Sequence, residues 1–247
     1  MKFLLSTLVL LASCLAIFAE NKNSKVFESQ IEDALECFRG LLINGVPEYD
    51  FPSFNPLVVP EGSVDLSELG IEGLSGRVAV EDLYIAGLTD FQYSNIKGTI
   101  GLIPPRYIFQ GTINFPLTTI STKYDLDVQY ADPVDVRVYG AGDFGLEAVN
   151  FSIDIDATVT VLGGINISNL DVWVSLAGLN SFTLTGYFND EELSAQIVET
   201  VLADPSGLVA DYAQTVNDLV TELVTDLVNN GGGSDDGFLS DILSQCI

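Results

Sequence analysis

The sequence predicts an α+β fold, in which a long, strongly curved antiparallel sheet wraps around a long C-terminal helix and a short helix precedes the sheet. Three observations predict it. Apolar residues recur at helical spacing in residues 24–44 and again in 190–228. Between them, in residues 62–188, apolar and polar residues alternate with the period of a strand. Several alternating runs are longer than ordinary strands, which favours an extended, curved sheet over a compact sandwich.

The first residues are typical of a secretory signal peptide. Lys2 gives a positive start, residues 3–18 form a nearly unbroken apolar run, and small residues up to Ala19 suit cleavage. A membrane anchor is the alternative, but the run is short and no stop-transfer pattern follows it. We therefore expect a secreted, extracellular protein. Its parts are a signal peptide at 1–19, a single domain at 20–230, and a glycine-rich linker with a short tail at 231–247.

The composition limits the partners. Hydrophobic residues make up 47% of the chain, enough for a sizeable core. Acidic residues number 35 against 9 basic ones, for a net charge of −26. Nucleic acid and anionic membrane surfaces would be repelled by this charge, so we expect neither as a partner. No window after the signal is apolar over the length of a spanning helix, so we expect no stable membrane insertion.

The first predicted helix, at residues 24–44, ends at Gly45 and Pro47. Its apolar face carries Ile31, Leu35, Phe38 and Leu42. The next segment, residues 44–60, contains four prolines and too many apolar residues for a solvated linker. Since proline lacks an N–H and fixes φ, the segment is neither a helix interior nor a central strand. We interpret it as a rigid crossing at the edge of the core.

The sheet is predicted from alternating runs. They cover residues 77–85, 107–115, 120–130, 134–138, 149–161, 165–176 and 182–188. Asn150 and Asn166 lie on the polar sides of two of these runs, each within an N-x-S sequence. A glycan at either position would leave the apolar face undisturbed, so we expect both to be glycosylated.

Two helices are predicted after the sheet. Asn189 or Asp190 caps the first, and Pro205 suits the first turn of the second, longer one. The apolar stripe of the longer helix consists of Val209, Tyr212, Val216, Leu219, Val220, Leu223 and Leu227. The pattern ends before the glycines at 231–233.

The chain lacks the residues that most catalytic sites need. It contains no histidine, which excludes Ser-His-Asp and Cys-His sites and metal sites built on imidazole. No phosphate-binding or dinucleotide-binding glycine motif is present. Asp154 and Asp156 share a strand face and leave a carboxylate hydrolase as a remote alternative. We expect no enzyme, no catalytic residue, no metal and no cofactor.

Two cysteines remain once the signal peptide is removed, Cys37 near the start and Cys246 near the end. An even number in an oxidising compartment favours one disulfide bond between them. Free thiols and an intermolecular bond are the alternatives.

The proline segment resembles a known family. "NGVPEYDFPSFNPLVV", residues 44–59, is similar to the "GIPE…PP.DPL" entry segment of the insect juvenile hormone-binding and takeout-like proteins. Asn55 takes the place of the usual Asp. "YIAGLTDFQY", residues 84–93, is similar to the family's "GLS.F.I" strand. The family usually carries a close pair of N-terminal cysteines, whereas here Cys37 alone stands in that region.

The resemblance implies the tubular lipid-binding fold and an apolar tunnel for a hydrophobic small molecule such as a terpenoid hormone, fatty acid or related lipid. On this basis we assign to the ligand Phe38, Leu42, Phe54, Tyr124, Leu126, Phe151, Ile153, Tyr212, Val216 and Leu219. A secreted carrier or sensor is the leading hypothesis. The alternative is a secreted structural or interaction protein, such as a coat or adhesive component, with the same fold and a filled core. The sequence names no receptor or other extracellular partner.

Overall fold

The computed structural model describes residues 24–49, 51–69, 73–102, 105–131, 135–160 and 166–229. The α-helices in this part of the chain are α1 at Ser24–Asn44, α2 at Glu191–Ala203 and α3 at Pro205–Asn229. These bounds confirm the predicted helices and the predicted break before Pro205. Asp190 caps α2, because its side chain accepts a hydrogen bond from the Leu193 N–H.

The strands of the described part are longer than predicted. They are β1 (Leu57–Asp65), β2 (Leu74–Ala86), β3 (Gln92–Leu102), β4 (Pro105–Ala131), β5 (Asp135–Thr160) and β6 (Asn166–Leu184). The predicted runs 107–115 and 120–130 are both parts of β4, since the strand continues through Pro116. Similarly, β5 joins the described parts of 134–138 and 149–161. The predicted run 182–188 extends too far, because β6 ends at Leu184.

The sheet is antiparallel and follows the order β1-β2-β4-β5-β6, with β3 also paired to β4. One edge of β4 pairs first with β3 and then with β2, and its other edge pairs with β5. β2 and β3 thus lie end to end, separated by residues 87–91. Bulges beside Asp82 and Asn95, which both adopt positive φ angles, bend these strands. The predicted fold class, α+β with a long curved antiparallel sheet, is confirmed. In the described part of the chain, α1 is the helix that packs in the core, and the long C-terminal helix α3 lies along β6.

A line of irregularities, which we call the seam, crosses the sheet. The β4–β5 ladder skips Pro116 and Asn150, and the β5–β6 ladder skips Asn150 and Ala177. Pro116 has no N–H to donate, and Asn150 has a φ of 49°. Buried residues of β4 change phase here, from odd positions such as Ile113 to even positions such as Thr118. The seam therefore divides the sheet into a near half, which contains β3, and a far half, which contains β1 and β2.

Most of the core lies on one face of the near half, which we call the inner face, and Leu57 of β1 and Ile85 of β2 also belong to it. The side chains of α1 in this core are the four predicted ones, Ile31, Leu35, Phe38 and Leu42, together with Ala34. They share one cluster with sheet residues that include Phe109, Ile113, Ile155, Val159 and Val172. Full burial of such a side chain contributes about 1.5–3 kcal/mol. The α1 helix is thus held by its apolar stripe.

The proline segment forms the edge of this core. Val46, Phe51 and Phe54 are buried in it, and the Phe54 N–H donates to the Leu42 carbonyl at 2.7 Å. Phe51 and Phe54 also stack, with ring centroids 5.3 Å apart. The interpretation of residues 44–60 as a fixed apolar crossing is confirmed.

Helix α3 lies along β6, a strand at the edge of the sheet. Ser206 donates to the Ala177 carbonyl at 3.2 Å, and Thr221 donates to the Leu170 carbonyl at 2.9 Å. The helix rises about 22 Å between these two residues, and the strand covers about 23 Å between its two carbonyls. Because the two lengths match, α3 can follow the edge and bind backbone groups that would otherwise lack partners.

A tight corner follows β6. The Thr185 N–H donates to the Asp143 carbonyl at 3.0 Å. Gly142 lies beside this segment, and a Cβ there would overlap the Thr185 carbonyl oxygen. Tyr124 donates its hydroxyl to the same oxygen at 2.6 Å. The corner fixes the far end of the sheet to the start of α2.

Candidate ligand-binding face

The inner face of the far half is apolar. Residues that pair across strands share a face of the sheet. The registers therefore place these side chains on the same face as Ile120: Val78, Val80, Tyr124, Leu126, Val128, Val138, Phe144, Leu146, Phe182 and Leu184. Most of them are half-buried. They are therefore sheltered from bulk water while leaving apolar surface that a ligand can cover.

Aromatic rings lie on both sides of the seam. Phe115 lies 6.1 Å from Phe91 on one side and 6.1 Å from Phe151 on the other, measured between ring centroids. Beyond the seam, Phe144 and Phe182 make an edge-to-face pair at 5.9 Å. Aromatic contacts of this kind contribute beyond the burial of their area. We call these five rings the aromatic path; three of them lie next to the α1 core and the other two form a separate pair in the far half.

The outer face of the sheet is polar. Gln110 donates to Asp156 at 2.7 Å and Thr112 donates to Asp154 at 2.6 Å, each across neighbouring strands. These hydrogen bonds give the two predicted carboxylates a structural role on an open face. Trp173, which lies opposite Asp154, is 45% exposed there.

A cavity of about 560 Å³ lies over β1, β2 and β4. Its lining residues include Glu61, Arg77, Glu81, Lys123 and Asp125. Lys123 lies 3.6 Å from Glu81 and 3.4 Å from Asp82. The hydrogen bond to Asp82 and the nearby charge of Glu81 raise the pKa of Lys123. Five of the ten lining residues are charged, and Val80 and Tyr124 also line the cavity. The cavity is therefore more polar than the inner face of the far half.

Four of the ten predicted ligand residues meet at α1. Phe38, Leu42 and Phe54 belong to the core cluster, and Ile153 packs against it. They serve as core in this structure, and their contact with a ligand stays a prediction.

The other six lie apart from that group. Phe151 is at the seam, while Tyr124 and Leu126 are on the inner face of the far half. Tyr212, on α3, is 59% exposed. The side chains of Val216 and Leu219 lie outside the described part of the chain. For these six as well, contact with a ligand stays a prediction.

Sequence reasoning missed Phe144, Leu146 and Phe182 as candidates. No strand was predicted at residues 139–148, because glycines at 140, 142 and 145 interrupt the alternation. Phe182 lies within a predicted run, but nothing in that run separates a ligand contact from ordinary packing. The cross-strand register, which brings Leu146 opposite Phe182, is what joins them.

The predicted modifications can be placed on the fold. Cys37 is disulfide-bonded, and since Cys246 lies outside the described residues, their pairing stays a prediction. Asn150 is exposed at the seam. Asn166 is the first residue of β6, and its side chain lies outside the described part. Glycosylation of both remains a prediction.

Among the described helices, none combines the length and apolarity that crossing a membrane requires.

Comparison with known proteins shows a relationship at the level of family. No curated protein sequence matches it. Takeout 1 of Epiphyas postvittana is 16% identical with a TM-score of 0.43, over 76% of this chain and 85% of that one. A lipopolysaccharide binding protein is 12% identical with a TM-score of 0.27, over 80% of this chain and 37% of that one. The profile of the haemolymph juvenile hormone binding protein (JHBP) family matches residues 5–231. This match confirms the resemblance seen at the proline segment, and the chain belongs to the JHBP family.

Proposed function

We propose that this protein is a secreted carrier or sensor that binds a hydrophobic small molecule, such as a terpenoid or fatty acid, on the inner face. The observation that carries the proposal is the aromatic path, together with the half-buried apolar side chains beyond it. Membership of a family described as hormone-binding supports it. The apolar run at residues 3–18 supports entry into the secretory route and an extracellular location.

The driving force would be removal of apolar surface from water. A ligand that buries about 300 Å² of apolar surface gains about 7 kcal/mol at about 25 cal/mol per Å². The loss of its translational and rotational freedom offsets part of this gain. Since 7 kcal/mol without this offset corresponds to a dissociation constant of about 10 μM, a purely apolar contact of this size is expected to bind more weakly than that, and polar groups would add affinity and selectivity.

Binding of Nile red, an apolar dye whose fluorescence rises on transfer out of water, tests the proposal. We expect the secreted protein to bind it and a long-chain fatty acid or terpenoid to displace it. Phe182→Ser should weaken dye binding about tenfold, because it removes one ring of the Phe144 pair. Trp173→Ser is the matched control, since that ring lies on the outer face.

Circular dichroism melts of both variants establish that each still folds. Mass spectrometry of lipids extracted from the secreted protein is an independent readout. If the wild-type protein neither binds the dye nor retains any lipid, its interior is filled. The structural or interaction role would then be favoured.

A further inference from the structure

The outer face of the sheet carries an exposed tryptophan. Trp173 lies in β6 between Val172 and Val174, whose register places them on the inner face. Its ring makes no hydrogen bond or aromatic contact with another described residue. A tryptophan side chain presents about 250 Å², so its exposed fraction of 45% leaves about 110 Å² open. This apolar surface lies in a face that is otherwise polar.

Asn150 lies close to this ring on the same face. The β5–β6 ladder places Trp173 opposite Asp154, which follows Asn150 by four residues. At about 3.3 Å per residue, the ring is therefore about 13 Å along the strands from Asn150. Ser152 and Ser175, which pair with each other, lie between the two. Because both are small, no large side chain separates Asn150 from the ring.

Asn150 is suited to carry a bulky group. It is exposed, and both ladders of β5 skip it. Its φ of 49° is a left-handed conformation that asparagine adopts more readily than most residues. No hydrogen bond joins its side-chain amide to another described residue. A group attached to this amide would interrupt no hydrogen bond of the sheet, and Asn150 begins an N-x-S sequence.

We infer that Asn150 carries an N-linked glycan whose first sugars cross Ser175 and pack on the ring of Trp173. A sugar ring presents C–H groups, which pack on the electron-rich face of an indole. Asp154 adds a polar contact, because one of its oxygens accepts from Thr112 at 2.6 Å and the other is available to a sugar hydroxyl. The inference goes beyond the proposed function and rests on it only for secretion, since such glycans are attached in the secretory route.

The second N-x-S sequence provides a matched control. Asn166 is the first residue of β6 and precedes Trp173 by seven residues. The two are therefore about 23 Å apart along the strand, beyond the reach of the first two sugars. A glycan at Asn166 should leave the ring of Trp173 open.

The fluorescence of Trp173 tests the inference, because this is the only tryptophan in the sequence. The protein is secreted from eukaryotic cells as the wild type, Asn166→Gln and Ser152→Ala. Mass spectrometry identifies the glycosylated residues, and acrylamide quenching measures the access of solvent to the ring. Peptide N-glycosidase F removes the glycan from folded Asn166→Gln protein. Ser152→Ala prevents attachment while Asn150 itself is kept.

We expect a glycan at Asn150 in the wild type and in Asn166→Gln. Its enzymatic removal should raise the quenching constant about twofold, because one sugar face covers about half of the open ring surface, and should shift the emission to longer wavelength. Ser152→Ala should show the same raised constant. Asn166→Gln before enzyme treatment should match the wild type.

Three outcomes would overturn the inference. The first is secreted protein in which Asn150 is unmodified. The second is a glycan at Asn150 whose removal leaves the quenching unchanged. The third is a ring that stays shielded without the glycan in a protein that is dimeric by size-exclusion chromatography, since a second copy would then cover it. If the protein is not secreted, this inference fails together with the secreted location, whereas Nile red binding still decides the ligand-binding part of the proposed function.

Discussion

Replacement of Asn217 by leucine should detach α3 from the edge of the sheet. The Asn217 side-chain oxygen accepts a hydrogen bond from the Val172 N–H at 2.6 Å, and the residue is only 6% exposed. Leucine has a similar volume but no acceptor, so the Val172 N–H would remain buried and unpaired. The expected loss is about 1–3 kcal/mol of unfolding free energy. Thr221, which also lies near the Asn217 oxygen, keeps its bond to the Leu170 carbonyl.

Urea unfolding at neutral pH measures the loss, and amide hydrogen exchange at Val172 reports the edge directly. The control is Gln214→Ala on the same helix, whose hydrogen bond to Asp218 is exposed, and it should change stability by less than about 0.5 kcal/mol. The reasoning would be refuted if Asn217→Leu lowered the unfolding free energy no more than this control does and the Val172 amide exchanged as slowly as in the wild-type protein. The Asn217 side chain would then not hold the helix to the strand.

Two further predictions concern the corner after β6. Gly142→Ala should destabilise the protein by about 2 kcal/mol or more in thermal or urea unfolding, because its Cβ would overlap the Thr185 carbonyl; an unchanged midpoint would show that the corner can open. Burial, followed by the charge of Glu191, raises the pKa of the Tyr124 phenol in the folded state. The folded protein therefore holds this proton more tightly than the unfolded chain does. The unfolding free energy should fall as pH rises above about 10, and this fall should be less steep in Tyr124→Phe. An equal change of unfolding free energy with pH in both proteins would contradict the prediction.

The parts of the fold that local chemistry determines could be predicted from the sequence. The helix ends at Gly45 and Pro205 are signalled by residues within one turn, and both were placed correctly. Strands with clean alternation were found for the same reason. The continuity of β4 through Pro116 could not be predicted, because a proline is tolerated there only where the partner strand also leaves its position unpaired. That condition depends on Asn150, a residue far away in the chain.

The candidate site was predictable only in part. Helical periodicity identified Phe38 and Leu42 as apolar, and the structure shows both in the core. Whether such a residue touches a ligand or another side chain is decided by tertiary packing, which periodicity does not contain.

The seam affects how far the insertion or deletion of a residue in one strand disturbs the rest of the sheet. Since the ladders skip Pro116, Asn150 and Ala177, each half of the sheet sets its own alternation of inner and outer positions. A one-residue insertion or deletion in β4, β5 or β6 is accordingly expected to shift the alternation on one side of the seam only, since the pairing is already interrupted there.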